Sequence, residues 1–560
     1  MAPSHNLADY DDARESFEWD DIYDAASGDA PDDLNVATET VDRHADRRGQ
    51  VALYQVDTDG DLSKTTFWEL SQRSNAFANV LDDLGVEPGD RVVSYMPRIP
   101  EHYVALLGTL KHGAVWGSVN ERYGPDGIAY RLDDCDASVV VTTTDNRETV
   151  GEALADAPSV DHVVTVDRGT GAPPEDVVFD TAVEAAGTDY DAADTSADDE
   201  ALLYYTSGTT GPAKGVLHEH RWVAGVAATQ RYAVDLNEDD LYWSTGDLGW
   251  LTGVINTLGA WFWGVPLFTY EGEFDPETWG DLLDEYPISV LFSVPTAYRM
   301  LREHEDVLDG VDLDLRHALS IGEPLSAGVV EWGEDTLGVT ILDTYGQTET
   351  GNMIINNYPT MELRPGSMGK PLPGIEAAVV DPQSGEVLPP GETGEIAQRG
   401  DYPCFFAGYW EKPEKTAGCF VDGPDGEWYL SGDLAHRDED GYFWFEGRAD
   451  DVIISSGYRI GPFEVESSLG EHDAVAETAV VPAPDRERGN IVKAYVVPSE
   501  GADPSDGLVD DLKAHVKSEL AAHEYPREVE FVEELPKTVT GKIRRTELRD
   551  DADAETDADD

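Results

Sequence analysis

Basic residues are scarce in this chain. Lysine and arginine number 38 against 114 aspartates and glutamates, a formal charge of -76 over 560 residues, and no lysine occurs between Lys214 and Lys370. A surface of that sign repels polyanions, which excludes nucleic-acid backbones and anionic membranes as expected partners. Cysteine is almost absent as well. Cys135, Cys404 and Cys419 have neither metal-ligand spacing nor even pairing, which excludes a disulfide framework and fits a reducing, cytoplasmic compartment. The opening stretch MAPSHNLADYDDARESFEWDD lacks a basic region and an apolar run, so no secretory signal is expected. Long hydrophobic runs are missing too. Leu248 to Phe268 comes nearest to bilayer length, but it contains Asn256, several glycines and Pro266 between acidic flanks; a core helix followed by a strand is expected there.

What remains is ample for a core. Hydrophobic residues make up 40% and aromatics 9% of the chain, enough for more than one folded domain. The acidic excess reads as a surface made for molar salt, where the Debye length falls to roughly 3 Å and like charges hardly repel. In dilute buffer the same charges drive expansion, so a halophilic source and salt-dependent stability are expected.

Residues 1–50 read as an acidic lead-in laid on the surface. From Val51, strand-like and helix-like segments alternate: a helix over Phe67–Leu84 with apolar spacings of three and four, a strand over Arg91–Met96, a helix over His102–His112 and a strand over Ala137–Thr142. This order predicts α/β layers with mostly parallel strands. Ile288–Ser293, Ala318–Gly322 and Val339–Leu342 are further buried-strand candidates. Between Gly366 and Phe445, glycine, proline and alternation predict a β-rich subdomain. Residues 51–447 are thus expected to form a large N-terminal domain of layered α/β subdomains plus that β-rich unit. Residues 448–549 form a small α+β domain, with a helix at Gly507–Ala522, and 550–560 an acidic disordered tail. The sequence gives no oligomeric state.

Three motifs carry chemistry. The apolar run Leu202-Leu203-Tyr204-Tyr205 feeds into Thr206-Ser207-Gly208-Thr209-Thr210-Gly211-Pro212-Ala213-Lys214-Gly215. A loop so rich in hydroxyls and glycine can wrap N–H and O–H donors around phosphate oxygens, with the charge of Lys214 added. It is not the Walker loop, because Gly215 follows the lysine. Asp343-Thr344-Tyr345-Gly346-Gln347-Thr348-Glu349-Thr350-Gly351, read as a loop after a strand, offers an aromatic face for a purine (Tyr345), a hydroxyl for the α-phosphate (Thr348) and a carboxylate for Mg²⁺ (Glu349). In Tyr429-Leu430-Ser431-Gly432-Asp433, the Asp433 carboxylate can accept two ribose hydroxyls.

In this order the motifs resemble the AMP-forming adenylate superfamily: acyl-CoA synthetases, luciferases and peptide-synthetase adenylation domains. The resemblance extends from about Phe67 to Arg549. It implies that Gly322-Glu323-Pro324 lines the adenosine pocket and that Asp343, Thr344, Gly346 and Gln347 join Tyr345 around the nucleotide. It places Arg448 near the ribose, Arg459 at the phosphate, Asp450 at a hinge, and Ser456, Gly457 and Thr252 along the thiol tunnel. Pro536-Lys537-Thr538-Val539-Thr540-Gly541-Lys542-Ile543-Arg544-Arg545 gathers cations that are rare elsewhere, and Lys542 resembles the catalytic lysine bridging the attacking carboxylate and the α-phosphate. The implied substrates are a carboxylic acid, ATP and CoA, with Mg²⁺. The small domain is expected to be mobile, swinging between the adenylate-forming and thioester-forming steps.

Trp250, Leu251 and Gly346 fall where relatives border the acyl chain. The acetate enzymes of the family carry tryptophan where this chain has Gly346. Each extra buried methylene is worth about 0.8 kcal/mol, and three to five of them ~2–4 kcal/mol, so the expectation is a medium-chain or branched acid. The alternatives are an acetyl or short-chain enzyme, an adenylation enzyme serving a carrier protein, and a binding protein without activity.

Overall fold

A computed structural model describes residues 5–26, 30, 33–206, 212–400, 402–449, 451–455, 458–485, 488–499, 501–520, 524–537 and 543–558. Four sheets organise them. An eight-stranded sheet runs in the order Gly408–Tyr409, Lys214–Glu219, Glu200–Thr206, Val115–Ser118, Arg91–Tyr95, Ala137–Thr143, His162–Val166 and Val177–Val178. Its central strands pair in parallel and read as unbroken apolar text because helices cover them. The helix Phe67–Leu84 has the expected bounds and starts on a capping box in which Thr66 and Glu69 satisfy each other's backbone donors.

A nine-stranded sheet holds Lys370–Pro371, Asn352–Asn356, Ile341–Gln347, His317–Ser320, Val290–Ser293, Tyr242–Ser244, Leu267–Tyr270, Val51–Val56 and Leu62–Thr66 in that order. The stretch Leu248 to Phe268 is a helix, Leu251–Phe262, and then the strand Leu267–Tyr270. No helix among the described residues is long and apolar enough to cross a membrane. The β-rich unit is the sheet Ala377–Val380, Gly394–Gln398, Gly426–Arg437 and Phe420–Gly423, with Phe443–Arg448 paired to Gly426–Arg437. The last sheet belongs to the C-terminal part: Tyr458–Ile460, Ile453–Ser455, Gly489–Pro498 and Val475–Asp485, with Glu528–Phe531 on Gly489–Pro498. It packs helices Pro462–Gly470 and Asp506–Glu519 around Val465, Leu469, Val480, Leu512 and Val516.

The structure corrects three local expectations. The first fifty residues are not merely laid on the surface: they form helices Tyr10–Ser16, Trp19–Tyr23 and Val36–Thr40. Leu7, Tyr10, Ile22, Val36 and Val41 are buried in the main core, and Tyr10 donates its hydroxyl to the Pro371 carbonyl at 2.7 Å. Of the acidic tail expected to be disordered, residues 550–558 continue the helix Arg545–Ala558, with Leu548 and Ala552 of that helix buried; Asp559 and Asp560 lie outside the described residues. Finally, Asp343–Gln347 is not loop: it completes the strand Ile341–Gln347.

Candidate active site

That strand changes partners midway. Ile341–Asp343 pairs in parallel with Ala318–Ser320, whereas Thr344–Gln347 turns to pair antiparallel with Asn352–Asn356. The resulting hairpin closes with Gln347 N–H on the Thr350 hydroxyl at 2.8 Å and Gly351 N–H on the Thr348 carbonyl at 3.0 Å. Thr348 and Glu349 are therefore presented at a rigid tip. Gly351 allows this turn: its φ is +64°, and a Cβ there would lie 2.0 Å from the Cys404 carbonyl oxygen.

The tip opens into a cleft of about 1860 Å³ where the parallel strands of the nine-stranded sheet end, the edge at which open α/β sheets collect ligands. Thr206, Lys214, Trp250, Leu251, Thr252, Gly322, Glu323, Pro324, Asp343, Thr344, Tyr345, Gly346, Gln347, Thr348, Glu349, Asp433 and Arg448 all line it. Ser207, Gly208, Thr209, Thr210, Asp450, Ser456, Gly457 and Lys542 lie outside the described residues. Arg459 is placed by its backbone alone, opposite Ile454 on the strand Tyr458–Ile460. Lys537 and Ile543, which flank the stretch holding Lys542, form an antiparallel bridge, and both line the same cleft.

Two hydrogen-bonded groups define the cleft chemically. In the first, Asp433 collects three donors from two strands: the Tyr345 hydroxyl at 2.7 Å and the Gln347 amide at 2.6 Å on Oδ2, and Arg448 at 2.9 Å on Oδ1. Tyr429 donates to Gln347 Oε1 at 3.2 Å. A carboxylate offers about four acceptor sites; among the described residues three are taken, which leaves one for a further donor. Burial, reinforced by Asp433, raises the Tyr345 phenol well above its ordinary range, so it remains a donor.

In the second group, Lys214 donates to the Tyr409 hydroxyl at 2.9 Å, and that hydroxyl donates to Glu349 Oε1 at 2.8 Å. Burial first and Glu349 second raise the Tyr409 phenol far above its usual value. Lys214 and the carboxylate of the hairpin tip are thereby coupled through one phenol. Among the described residues Glu349 Oε2 accepts no hydrogen bond, leaving an oxygen available for a hard divalent cation. Sequence reasoning missed Tyr409. It lies sixty positions from Glu349, in a stretch with no phosphate-binding pattern of its own.

Glu323 accepts from Thr296 at 2.7 Å and from Arg299 at 2.8 Å, two more residues that the sequence did not single out. Asp343 is buried, at 8% exposure, and burial lifts its carboxyl well above the ordinary carboxylate range despite the Thr344 N–H it accepts. Its carboxyl group stands at the wall of the cleft.

Gly346 departs from its expected role. A Cβ at this position would lie 2.0 Å from the Asn352 carbonyl oxygen and 3.1 Å from Met353 Cα. The missing side chain points into the paired strand, not into open pocket space. Close approach of Ile341–Gln347 to Asn352–Asn356, at the irregular step between Tyr345 and Gly346, is what demands glycine.

Comparison with known proteins agrees with this architecture. The AMP-binding enzyme family matches residues 39–410, and its C-terminal domain matches residues 464–542. An acetyl-coenzyme A synthetase of Bacillus subtilis is 43% identical over 551 residues, covering 97% of this chain and 95% of its own. The human mitochondrial acyl-coenzyme A synthetase ACSM4 is 38% identical, covering 93% and 91%. The crystal structure of an acyl-CoA synthetase from Brucella canis superposes with a TM-score of 0.76 at 37% identity, over 98% of this chain and 99% of the other. With both parts of the family matched along one chain, this protein belongs to the AMP-binding enzyme family as an AMP-forming acid–thiol ligase of the acyl-CoA synthetase kind.

Proposed function

We propose that the chain activates a monocarboxylic acid with an apolar chain longer than acetate, medium-length or branched, and passes it to CoA. An oxygen of the acid attacks the α-phosphorus of ATP, forming the acyl-adenylate and releasing pyrophosphate. The CoA thiolate then attacks the acyl carbon, forming the thioester and releasing AMP. Catalysis of the first step is mainly positioning and charge neutralisation. The observation that carries the reading is the Lys214–Tyr409–Glu349 chain, which puts a cation and a carboxylate at fixed separation beside the phosphate loop. Thr206 and Lys214 hold the phosphates, Thr348 the α-phosphate, Asp433 and Arg448 the ribose, and Gly322, Glu323, Pro324, Asp343, Thr344 and Tyr345 the base.

Glu349 would hold Mg²⁺ through its second carboxylate oxygen, and the bound ion supplies neutralisation of phosphate charge. Lys542 is the residue assigned to the attacking carboxylate. Residues 448–549 act as the mobile unit turning about Asp450, bringing the segment near Gly457 to the thiol. A surface of charge -76 suits a cytoplasm of molar salt.

The acyl reading rests on Trp250, Leu251, Ile255 and Phe292, which give the cleft an apolar wall, and no longer on Gly346. A second reading, a short acid such as acetate, is favoured by the Bacillus subtilis relative. Pyrophosphate release at molar KCl, across linear acids from short to medium length and with and without CoA, tests both. A maximum beyond four carbons with CoA-dependent turnover supports the main reading; a maximum at acetate supports the second; no release with any acid overturns both.

A further inference from the structure

Outside the residues that line the cleft, one carboxylate is flanked by two imidazoles. Asp235 Oδ2 lies 2.8 Å from His5 Nδ1 and 3.0 Å from His317 Nε2. The three side chains come from the N-terminal segment, the loop after helix Trp222–Tyr232, and the first residue of strand His317–Ser320. Their ligand-capable atoms all lie within 4.8 Å of one another. We propose that His5, Asp235 and His317 form a binding site for one borderline-soft divalent cation of the Zn²⁺ class.

The donor set is the first argument. Two imidazole nitrogens and one carboxylate oxygen are a recognised ligand set for zinc, cobalt and nickel, with a fourth position left to water. His5 is 26% exposed while Asp235 is 1% and His317 9% exposed, so a water can complete the sphere from the His5 side. Bonds of 2.0–2.2 Å give tetrahedral edges of about 3.3–3.6 Å, so the imidazole–carboxylate contacts of 2.8 and 3.0 Å need to open by about 0.3–0.8 Å.

The second argument is the crowding on one oxygen. Oδ2 also receives Arg316 Nη1 at 3.1 Å, so three nitrogens converge on an atom with two lone pairs. An ion between the imidazoles and the carboxylate removes two of these protons from the contact, leaving Arg316 as the outer partner that orients the carboxylate. Arg316 is itself shared with Asp240, so the group carries one net negative charge before the ion binds.

The third argument is backbone preparation. Asp235 is held at φ +61°, a left-handed conformation that costs free energy in any residue with a Cβ. It is fixed there by the Asn6 N–H on Oδ1 at 2.6 Å and by the Asn6 amide on the Leu236 carbonyl at 2.9 Å. The ion would clamp the N-terminal segment to the start of the strand whose far end presents Gly322, Glu323 and Pro324.

The test uses full-length protein freed of metal with EDTA and titrated with Co²⁺ as the spectroscopic probe. We expect one Co²⁺ per chain with intense tetrahedral visible bands, displaced by one equivalent of Zn²⁺, and a Zn²⁺-dependent rise in melting temperature. His5→Ala, a change at a partly exposed position, should abolish the bands and the rise, with affinity falling by more than the ~10–100-fold that loss of an outer partner alone causes. Absence of the bands in the unmodified protein overturns the proposal. Identical bands and stoichiometry in His5→Ala also overturn it, because the ion then resides elsewhere.

Discussion

Tyr409 joins Lys214 to Glu349: the phenol accepts from the lysine at 2.9 Å and donates to the carboxylate at 2.8 Å. A direct lysine–glutamate pair would neutralise both charges and close the site to phosphate and to cation. The intervening phenol keeps the two apart while fixing where each points.

Tyr409→Phe keeps the ring and its packing against Phe406 and Tyr429 but deletes both hydrogen bonds. Hydrogen bonds to charged groups are worth about 1.5–3 kcal/mol, so kcat/KM for pyrophosphate release should fall roughly ten- to more than a hundredfold. Thioester formation from supplied acyl-adenylate should fall much less. An equal loss in both half-reactions would show that Tyr409 supports the fold of the cleft and not the first step.

The helix Phe67–Leu84 was legible because its apolar periodicity lies within one continuous stretch. The hairpin carrying Thr348 and Glu349 was legible as a motif but not as a shape. Nothing local in Asp343–Gln347 says that Asn352–Asn356 will pair with it, since strand pairing is decided by tertiary contacts. Tyr409 was illegible because its role depends on a contact across sixty residues. The helical tail was hidden by its acidic composition, which outweighed the anchoring residues Leu548 and Ala552. Gly346 was misread for a related reason: the direction of a missing side chain cannot be seen in sequence.

Gly346→Ala tests that correction. Its Cβ would lie 2.0 Å from a backbone oxygen, which no rotamer change relieves. Overpacking of this kind costs about 1–3 kcal/mol, so thermal or denaturant unfolding should show a clear loss of stability. Gly346→Trp should destabilise further, without a clean shift of chain-length preference toward short acids. A stable Gly346→Trp variant selective for acetate would restore the pocket reading.

Burial raises the Asp343 carboxyl well above the ordinary carboxylate range, which makes the neutral amide of asparagine a close chemical substitute. Asp343→Asn should keep nucleotide affinity and be at least as stable above neutral pH, where ionisation no longer opposes burial. Asp343→Ala deletes the donor, and a neutral hydrogen bond of about 0.5–1.5 kcal/mol corresponds to an ATP Kd weakened roughly two- to twelvefold. Calorimetric titration with ATP distinguishes the two. A large loss in Asp343→Asn would mean that the group acts as a carboxylate.

Glu464 lies at the start of helix Pro462–Gly470, which meets the strand Phe443–Arg448 through Phe463 on Phe445 at 5.7 Å between ring centres. Burial first, then Glu446 and Glu524, raise its carboxyl to about 7, with His436 opposing. A carboxyl raised in the folded state contributes stability that is complete below its unfolded value and is lost as pH climbs through its folded value. The contribution of Glu464 should therefore decline between about pH 4.5 and 7 and be gone above that window. Glu464→Gln stays neutral throughout. Its melting temperature relative to the unmodified protein should rise across the same window and level off above it, at fixed KCl. A difference that stays flat from pH 4.5 to 8 would show that Glu464 is solvated and ordinary, and that the junction between helix and strand carries no buried acid.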